Sequence, residues 1–163
     1  MSVRIAILTV SDACARGERA DASGDAIVAW AGTHGFVIAA RLCVSDDTDR
    51  IVGALIAWAD ADATDVVLST GGTGLSPRDV TPEATRAVLD REAPGIAEAL
   101  RVTALHRAPR AALSRGVAGV RGRTLIVNLP GSHDGVCDGL AVLEPLVTHA
   151  VAILRDAHTD HSP

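Results

Sequence analysis

The stretch VVLSTGGTGLSPRDVTPEAT, residues 66–85, decides the fold. Val66, Val67 and Leu68 are a short apolar run bounded by polar residues, the pattern of a central strand covered on both faces. Gly71, Gly72 and Gly74 follow at once, and the missing Cβ atoms let a backbone come close to a ligand. Thr81 and Pro82 read as a helix start, with Thr81 placed to cap free N–H groups and Pro82 at the first helical position. Glu83 falls in the first turn, where the helix dipole favours an anion. A strand that ends in glycines and leads toward a helix start presents outward N–H groups in a positive field, which makes an oxyanion cradle. The spacing matches neither GxxxxGK[ST] nor GxGxxG, so on mechanism alone a plain structural turn stands beside the cradle as a reading.

The same alternation repeats on either side. Residues 3–10 are nearly all apolar and end at Ser11-Asp12, and residues 36–44 form a second strand ending at Ser45-Asp46-Asp47. Residues 124–129 form a further buried strand that runs into Asn128-Leu129-Pro130-Gly131-Ser132. Helices are expected from Ser23 as N-cap to about His34, with Gly35 as the stop, and through Ile51, Leu55 and Trp58. Two more run from Pro82 to about Arg91 and from Pro94 onward, with Ile96 and Leu100 on one face. The last runs from about Asp134 to Arg155, where Val136, Leu140, Leu143, Val147, Val151 and Leu154 recur every three or four positions. Trp30 and Trp58 sit among apolar neighbours and read as packing. Residues 13–23 read as a charged loop, and residues 106–123, rich in Arg and Gly, as a long irregular connection or a basic loop with a short hairpin. Residues 158–163 read as a frayed tail, leaving residues 1–157 as one domain.

This pattern predicts an α/β fold: a doubly wound, mostly parallel sheet with helices on both faces in a single domain. Right-handed crossovers bring parallel strand ends to one edge, and open sheets bind ligands in the crevice there. The polar ends at Ser11-Asp12, Asp46-Asp47, Thr70 to Gly74 and Asn128 to Ser132 therefore converge as candidates.

Composition sets limits. The chain has 163 residues, long enough for a proper core, and its 2% aromatic content leaves that core to aliphatic side chains. A formal net charge of −5 argues against general nucleic-acid binding. Three cysteines, Cys14, Cys43 and Cys137, show no CxxC spacing, which argues against a disulfide framework or zinc site and for a reducing cytoplasm. The first ten residues are too short for a secretory segment, and no apolar run is expected to approach a membrane span.

Several segments together resemble the MoaB/Mog family of molybdenum cofactor biosynthesis: LTVSD at residues 8–12, DASGD at 21–25, STGGTGLSPRDVTPEAT at 69–85, LSRGVAGVRGRTLIVNLPGS at 113–132 and the closing DGLAVLEPLVTHA. The functional type most similar is molybdopterin adenylyltransferase. The resemblance implies use of Mg²⁺ and ATP to place AMP on the terminal phosphate of molybdopterin, release of pyrophosphate, a homotrimer or hexamer, and a separate metal-inserting partner downstream. It implies Asp46 and Asp79 as the carboxylates that catalyse and hold the metal. It implies nucleotide and pterin contacts at Thr70, Gly71, Gly72, Thr73, Gly74, Ser114, Asn128, Pro130, Gly131 and Ser132, and a matching polar strand end at Ser11 and Asp12. Two positions depart from the family pattern: Ser45 stands where proline often precedes the first carboxylate, leaving Asp46 or Asp47 open, and His133 stands where NxPGxP has its last proline.

The residue types suit that chemistry. A phosphate monoester is already ionised near neutral pH and needs no general base. The barrier lies in joining two anions and charging the departing pyrophosphate, which a Mg²⁺ held by one or two carboxylates relieves. Glycine amides would fix phosphate oxygens, and Arg78 would screen charge at the α-phosphate. Simpler roles stand beside these: Asp79 pairing with Arg78 or capping a turn, Asp46 or Asp47 as an N-cap, and Asn128 as a backbone buttress. A binding-only pterin protein and a nucleotide enzyme for another phosphate substrate remain the competing functions.

Overall fold

An apolar run without alternation needs cover on both faces, and the sheet supplies it. In the computed structural model, which describes residues 2–155, β3 (Val66–Thr70) is buried throughout. It lies parallel between β1 (Arg4–Val10) and β6 (Thr124–Leu129), with Val66 level with Ile5 on one side and Leu125 on the other. β2 (Val37–Val44) extends the parallel set beyond β1. β4 (Arg91–Glu92) and β5 (Ala118–Arg121) add an antiparallel edge, giving the order β2-β1-β3-β6-β5-β4.

Strand periodicity of two divides the core. Ile5, Ile7, Val66, Leu68, Leu125 and Val127 face one layer, built from α2 (Ala22–Thr33) and α6 (His133–Leu154) with α5 (Pro94–Leu105) against it. Ala6, Leu8, Val67 and Ile126 face the other, built from α3 (Thr48–Asp60) and α4 (Thr81–Val88). Trp30 packs against the first cluster and Trp58 against the second. The α/β class with helices on both faces is thus the observed one.

Several boundaries differ from the sequence reading, each for a local reason. α2 is capped by Asp21, whose carboxylate accepts from Gly24 N, while Ser23 lies inside the helix and donates to Gly131 O at 2.9 Å. Thr81 is not a cap: Val80 holds that position, and the Thr81 hydroxyl donates to Gly71 O at 2.9 Å. α4 stops at Val88, because Arg91 and Glu92 pair with Val120 and Gly119. The loop expected over residues 13–23 contains a single turn, α1 (Asp12–Ala15), capped by Ser11. Residues 106–123 resolve into a 3₁₀ turn (Pro109–Leu113) and β5, so the hairpin alternative holds, with Gly122 at φ +55° joining β5 to β6. The tail of residues 158–163 lies outside the described residues.

α6 corrects one expectation. At 22 residues with mean hydropathy 1.5 over its most apolar window, it is long and apolar enough to cross a membrane. Here its stripe of Val136, Leu140, Leu143, Val147 and Val151 is buried in the core layer, while Leu146 and Ile153 on the same helix stay exposed.

At the end of the sheet away from the parallel strand ends, Arg4 and Arg155 both grip Asp65, whose side chain is 4% exposed. Arg4 donates from its N, Nε and Nη2, and Arg155 from its Nε at 3.0 Å and its Nη2. Burial pushes the Asp65 carboxyl up, but these hydrogen bonds outweigh it and hold the group well below the usual carboxylate range. Such a group stabilises the fold above the unfolded-state pKa of about 4, and loses that contribution as pH falls toward the folded-state value. At the opposite end, Gly71 turns the chain off β3 with φ +96°, and a Cβ there would lie 2.2 Å from Val10 O.

Two outcomes follow from these anchors. Asp65→Asn should cost about 2 kcal/mol or more in urea unfolding at pH 7, and the gap from the parent should narrow as the titration goes below about pH 4. Gly71→Ala should destabilise by at least about 2 kcal/mol. Gly53→Ala, in open space on α3, should instead be neutral or stabilising by up to about 1 kcal/mol in the same assay.

Candidate functional site

The four parallel strands deliver their polar ends to one edge. Ser11 N donates to Val44 O at 2.9 Å, which aligns the ends of β1 and β2. Just beyond, two aspartates exchange bonds: Asp12 N donates to Asp46 Oδ2 and Asp46 N to Asp12 Oδ1, each at 3.0 Å. The glycine turn folds over this pair. Gly72 has φ +68°, and a Cβ on it would lie 2.3 Å from Thr81 Oγ1 and 3.3 Å from Asp46 Oδ1. On the far side, Thr70 Oγ1 donates to Pro130 O at 2.6 Å, and a Cβ on Gly131 would touch Gly71 Cα at 3.3 Å. Ser132 then starts α6, its hydroxyl accepting from Gly135 N.

Two cavities meet at the Gly131-Ser132 turn. One, of about 460 Å³, is walled by Ser11, Asp46, Thr70, Gly71, Gly72 and Asp79, with Asp21 and His133 also at its wall. The other, of about 550 Å³, is walled by Ser114, Asn128, Pro130 and by Ala97, Leu100, Arg101 and Arg110. Asp46 and Asp79 thus share one cleft, and Ser114 stands in the adjoining one.

Electrostatics distinguish the carboxylates. Burial pushes the Asp46 carboxyl up, and the charges of Asp12 and Asp79 add to this against the hydrogen bond from Asp12 N. Asp12 is held down, first by hydrogen bonds from Arg78 and then by the Asp46 N–H. Asp79 Oδ2 accepts from Ser76 N at 3.0 Å, so this side chain does close a local turn. Asp46 and Asp79 each keep Oδ1 outside the hydrogen bonds among the described residues. Two carboxylates with one open oxygen each, lining one cleft, fit a hard divalent cation that takes its remaining ligands from phosphate and water.

The other candidates are placed as follows. Asp47 lies at the N-cap of α3 without a side-chain cap bond and lines neither cavity. Arg78 pairs with Asp12 rather than Asp79, through bonds of 2.8–3.1 Å, at a rim position where its side chain is 62% exposed. Thr73 and Gly74 line neither cavity; their carbonyls accept from Arg115 N and Nε. Asn128 spends its amide inside: Nδ2 donates to Ser69 Oγ and Thr85 Oγ1, and Oδ1 accepts from Val117 N, which is the buttress geometry.

Sequence reasoning left several residues unassigned. Asp21 accepts from Thr9 Oγ1 and Arg41 Nη2, each at 2.9 Å, at the cleft wall. A helix-capping Asp three residues before a glycine was the available signal. Cys14, Asp21 and Cys43 bring their ligand atoms within 4.8 Å of one another, from positions whose spacing gives no sign of it. Burial pushes the Cys43 thiol up to about 12, with Cys14 and Asp21 adding to it. Arg115 reaches the glycine loop from far along the chain, and Arg101 Nη1 donates to Gly116 O at 2.7 Å. Arg115 stands in the LSRG segment quoted for the family resemblance, but nothing local marks its partners, and nothing local marks Arg101.

Comparison with known proteins follows the same lines. A family model described as a probable molybdopterin binding domain matches residues 6–149. The chain is 35% identical to the molybdopterin adenylyltransferase of Helicobacter pylori, covering 94% of this chain and 88% of that one. Among solved structures, a molybdopterin biosynthesis enzyme MoaB from Thermus thermophilus is 50% identical with TM-score 0.89, over 94% of this chain and 97% of that one. The Mog protein of Mycobacterium ulcerans is 42% identical with TM-score 0.89, over 94% and 99%. The chain spans from 22% to 48% of the length of three longer curated relatives it also matches. With most of its length matched both by the family model and by these folds, the chain belongs to the molybdopterin-binding domain family of molybdenum cofactor biosynthesis.

Proposed function

We propose that the chain is a molybdopterin adenylyltransferase, joining AMP from ATP to the terminal phosphate of molybdopterin and releasing pyrophosphate. The observation that carries this reading is the meeting of Asp46 and Asp79 in a cleft floored by the glycine turn, which adjoins a second cavity across Gly131-Ser132. The H. pylori relative bears that activity in its name, over 88% of its length.

Each cavity suits one substrate. The smaller, acidic one with its glycine amides takes the magnesium triphosphate. The larger one takes the flat pterin: Ala97, Leu100 and Ala104 offer apolar cover, and Arg110 offers a cation to the phosphate. The two reacting phosphates then meet at the shared turn. Mg²⁺ bound by Asp46 and Asp79 would screen the approach of one phosphate to the other and the charge gathering on pyrophosphate. Gly71 and Gly72 hold the α-phosphate oxygens close to the backbone, and the Asp12–Asp46 exchange keeps the Asp46 carboxylate aimed into the cleft. Arg78 moves from Asp12 to the incoming phosphate and screens it there. No side chain needs to take a proton from the nucleophile. The reading extends to a homotrimer that passes adenylyl-molybdopterin to a metal-inserting partner in the cytoplasm.

Incubation with molybdopterin and Mg-ATP, following adenylylated product and pyrophosphate, tests the reading. Asp46→Asn and Asp79→Asn should each lower product formation by on the order of 100-fold or more, with the thermal midpoint close to the parent's. An Asp79→Asn variant that turns over at the parental rate removes the metal assignment. A parent that binds both ligands and makes no product is a binding protein instead.

A further inference from the structure

The exposed loop between Gly74 and Asp79 has few anchors of its own. Leu75 is 65% exposed. Within the loop, Asp79 N donates to Ser76 O at 2.9 Å and Ser76 N to Asp79 Oδ2 at 3.0 Å, bonds that move with the loop rather than fixing it to the sheet. The Arg78–Asp12 pair sits at an exposed rim, where an ion pair contributes little. Yet Asp79 has to hold one position relative to Asp46.

The fixing group comes from outside. Arg115 Nε donates to Gly74 O and Arg115 Nη2 to Asp79 O, both at 2.7 Å, so one planar guanidinium ties together the two ends of the loop. The Arg115 main chain joins in, its N donating to Thr73 O at 2.8 Å, and Nη1 pairs with Glu83 on α4. A rigid fork suits two carbonyls at fixed separation, and an ammonium does not reproduce it. Arg115 is itself held: its neighbour Ser114 walls the larger cavity, and Gly116 O is gripped by Arg101.

We infer that Arg115 is the positioning residue for Asp79: it clamps both ends of the 74–79 loop, and through it the segment walling the larger cavity sets the place of a carboxylate in the smaller one. This rests on the adenylyl-transfer reading for its catalytic consequence, but not for the clamp. A substrate that orders the Ser114 wall steadies Asp79, so occupancy of one cavity raises affinity in the other. Arg115 touches no reacting atom; it acts through the loop.

The test uses the full chain with Arg115→Ala and Arg115→Lys, read by amide hydrogen exchange, Mg-ATP titration calorimetry and turnover. In Arg115→Ala, exchange over residues 72–80 should rise about tenfold or more while amides of β1, β3 and β6 keep their protection. Turnover should fall about 100-fold through kcat, with Mg-ATP bound more weakly. Molybdopterin should no longer tighten Mg-ATP binding in the variant as it does in the parent. Arg115→Lys, which keeps the charge and the fold but not the fork, should fall between the two, and ethylguanidinium should partly restore Arg115→Ala. Unchanged exchange over residues 72–80 overturns the inference, and so does a loosened loop with parental kcat and Mg-ATP affinity. A parent without turnover defeats the adenylyl-transfer reading alone, because the exchange and calorimetry results still decide the clamp.

Discussion

The structure depends on how closely the turn after β3 seats against the end of β1. Only a residue without a Cβ fits at Gly71, where a side chain would collide with Val10 O, and Gly72 is pressed equally close to Thr81. That seating is possible because β1, β3 and β6 run parallel and in register, so their ends finish level. From it follow the placement of Thr81 at the start of α4, the approach of Gly131 to Gly71, and the meeting of both cavities at one turn. The approaches of Gly71 to Val10 and of Gly131 to Gly71 are backbone to backbone, and such close contacts tolerate very little displacement.

Charge is distributed around that seat with a consistent logic. The cleft gathers Asp21, Asp46 and Asp79 at its walls, with Asp12 just outside, in a chain whose formal net charge is −5. Of the arginines around it, Arg41 pairs with Asp21 and Asp25, Arg78 with Asp12, and Arg115 with Glu83 and two carbonyls, while Arg19 lines the cleft itself. On the proposed reading, the excess of carboxylates over that one lining arginine would favour a polyphosphate that arrives with a cation over a bare one. The raised affinity of Asp46 for a proton expresses the same need in a different form. On the proposed adenylyl-transfer reading, a preference for a magnesium-bound nucleotide would rest on the whole arrangement rather than on two carboxylates alone.

How much of this was legible in sequence divides by the range of the interaction. The strands and their polar ends were readable, because period-two burial and the β–α alternation are local patterns. The glycine turn read as a cradle or a plain turn, and the two aspartates were picked out by resemblance to the MoaB/Mog family, with Asp47 left open beside Asp46. Boundaries failed where a distant partner decides: Thr81 looks like a cap in isolation, yet its hydroxyl is claimed by Gly71, and α4 ends early because Arg91 and Glu92 find β5. Asn128 read as a ligand contact or a buttress; it lines the larger cavity while its amide bonds Ser69, Thr85 and Val117, from three separate segments that the local sequence does not reveal. Arg115 stood in the quoted LSRG segment, but its role was not readable there, since its partners lie 32 to 42 positions earlier.

The two departures from the family pattern fall where another interaction already fixes the geometry. A proline before the first carboxylate would stiffen the approach to it. With Ser45 there, Asp46 is still held by exchanging bonds with Asp12, and its backbone is therefore anchored to the end of β1. A proline at the position of His133 would preset φ at the first turn of α6. With His133 there, Ser132 performs the start through its side chain, which accepts from Gly135 N, and through its carbonyl, which accepts from Val136 N. Proline restricts the unfolded chain, whereas these contacts hold the folded one. The substitutions thus leave the site's geometry to tertiary contacts, which ties its precision to the stability of the surrounding fold.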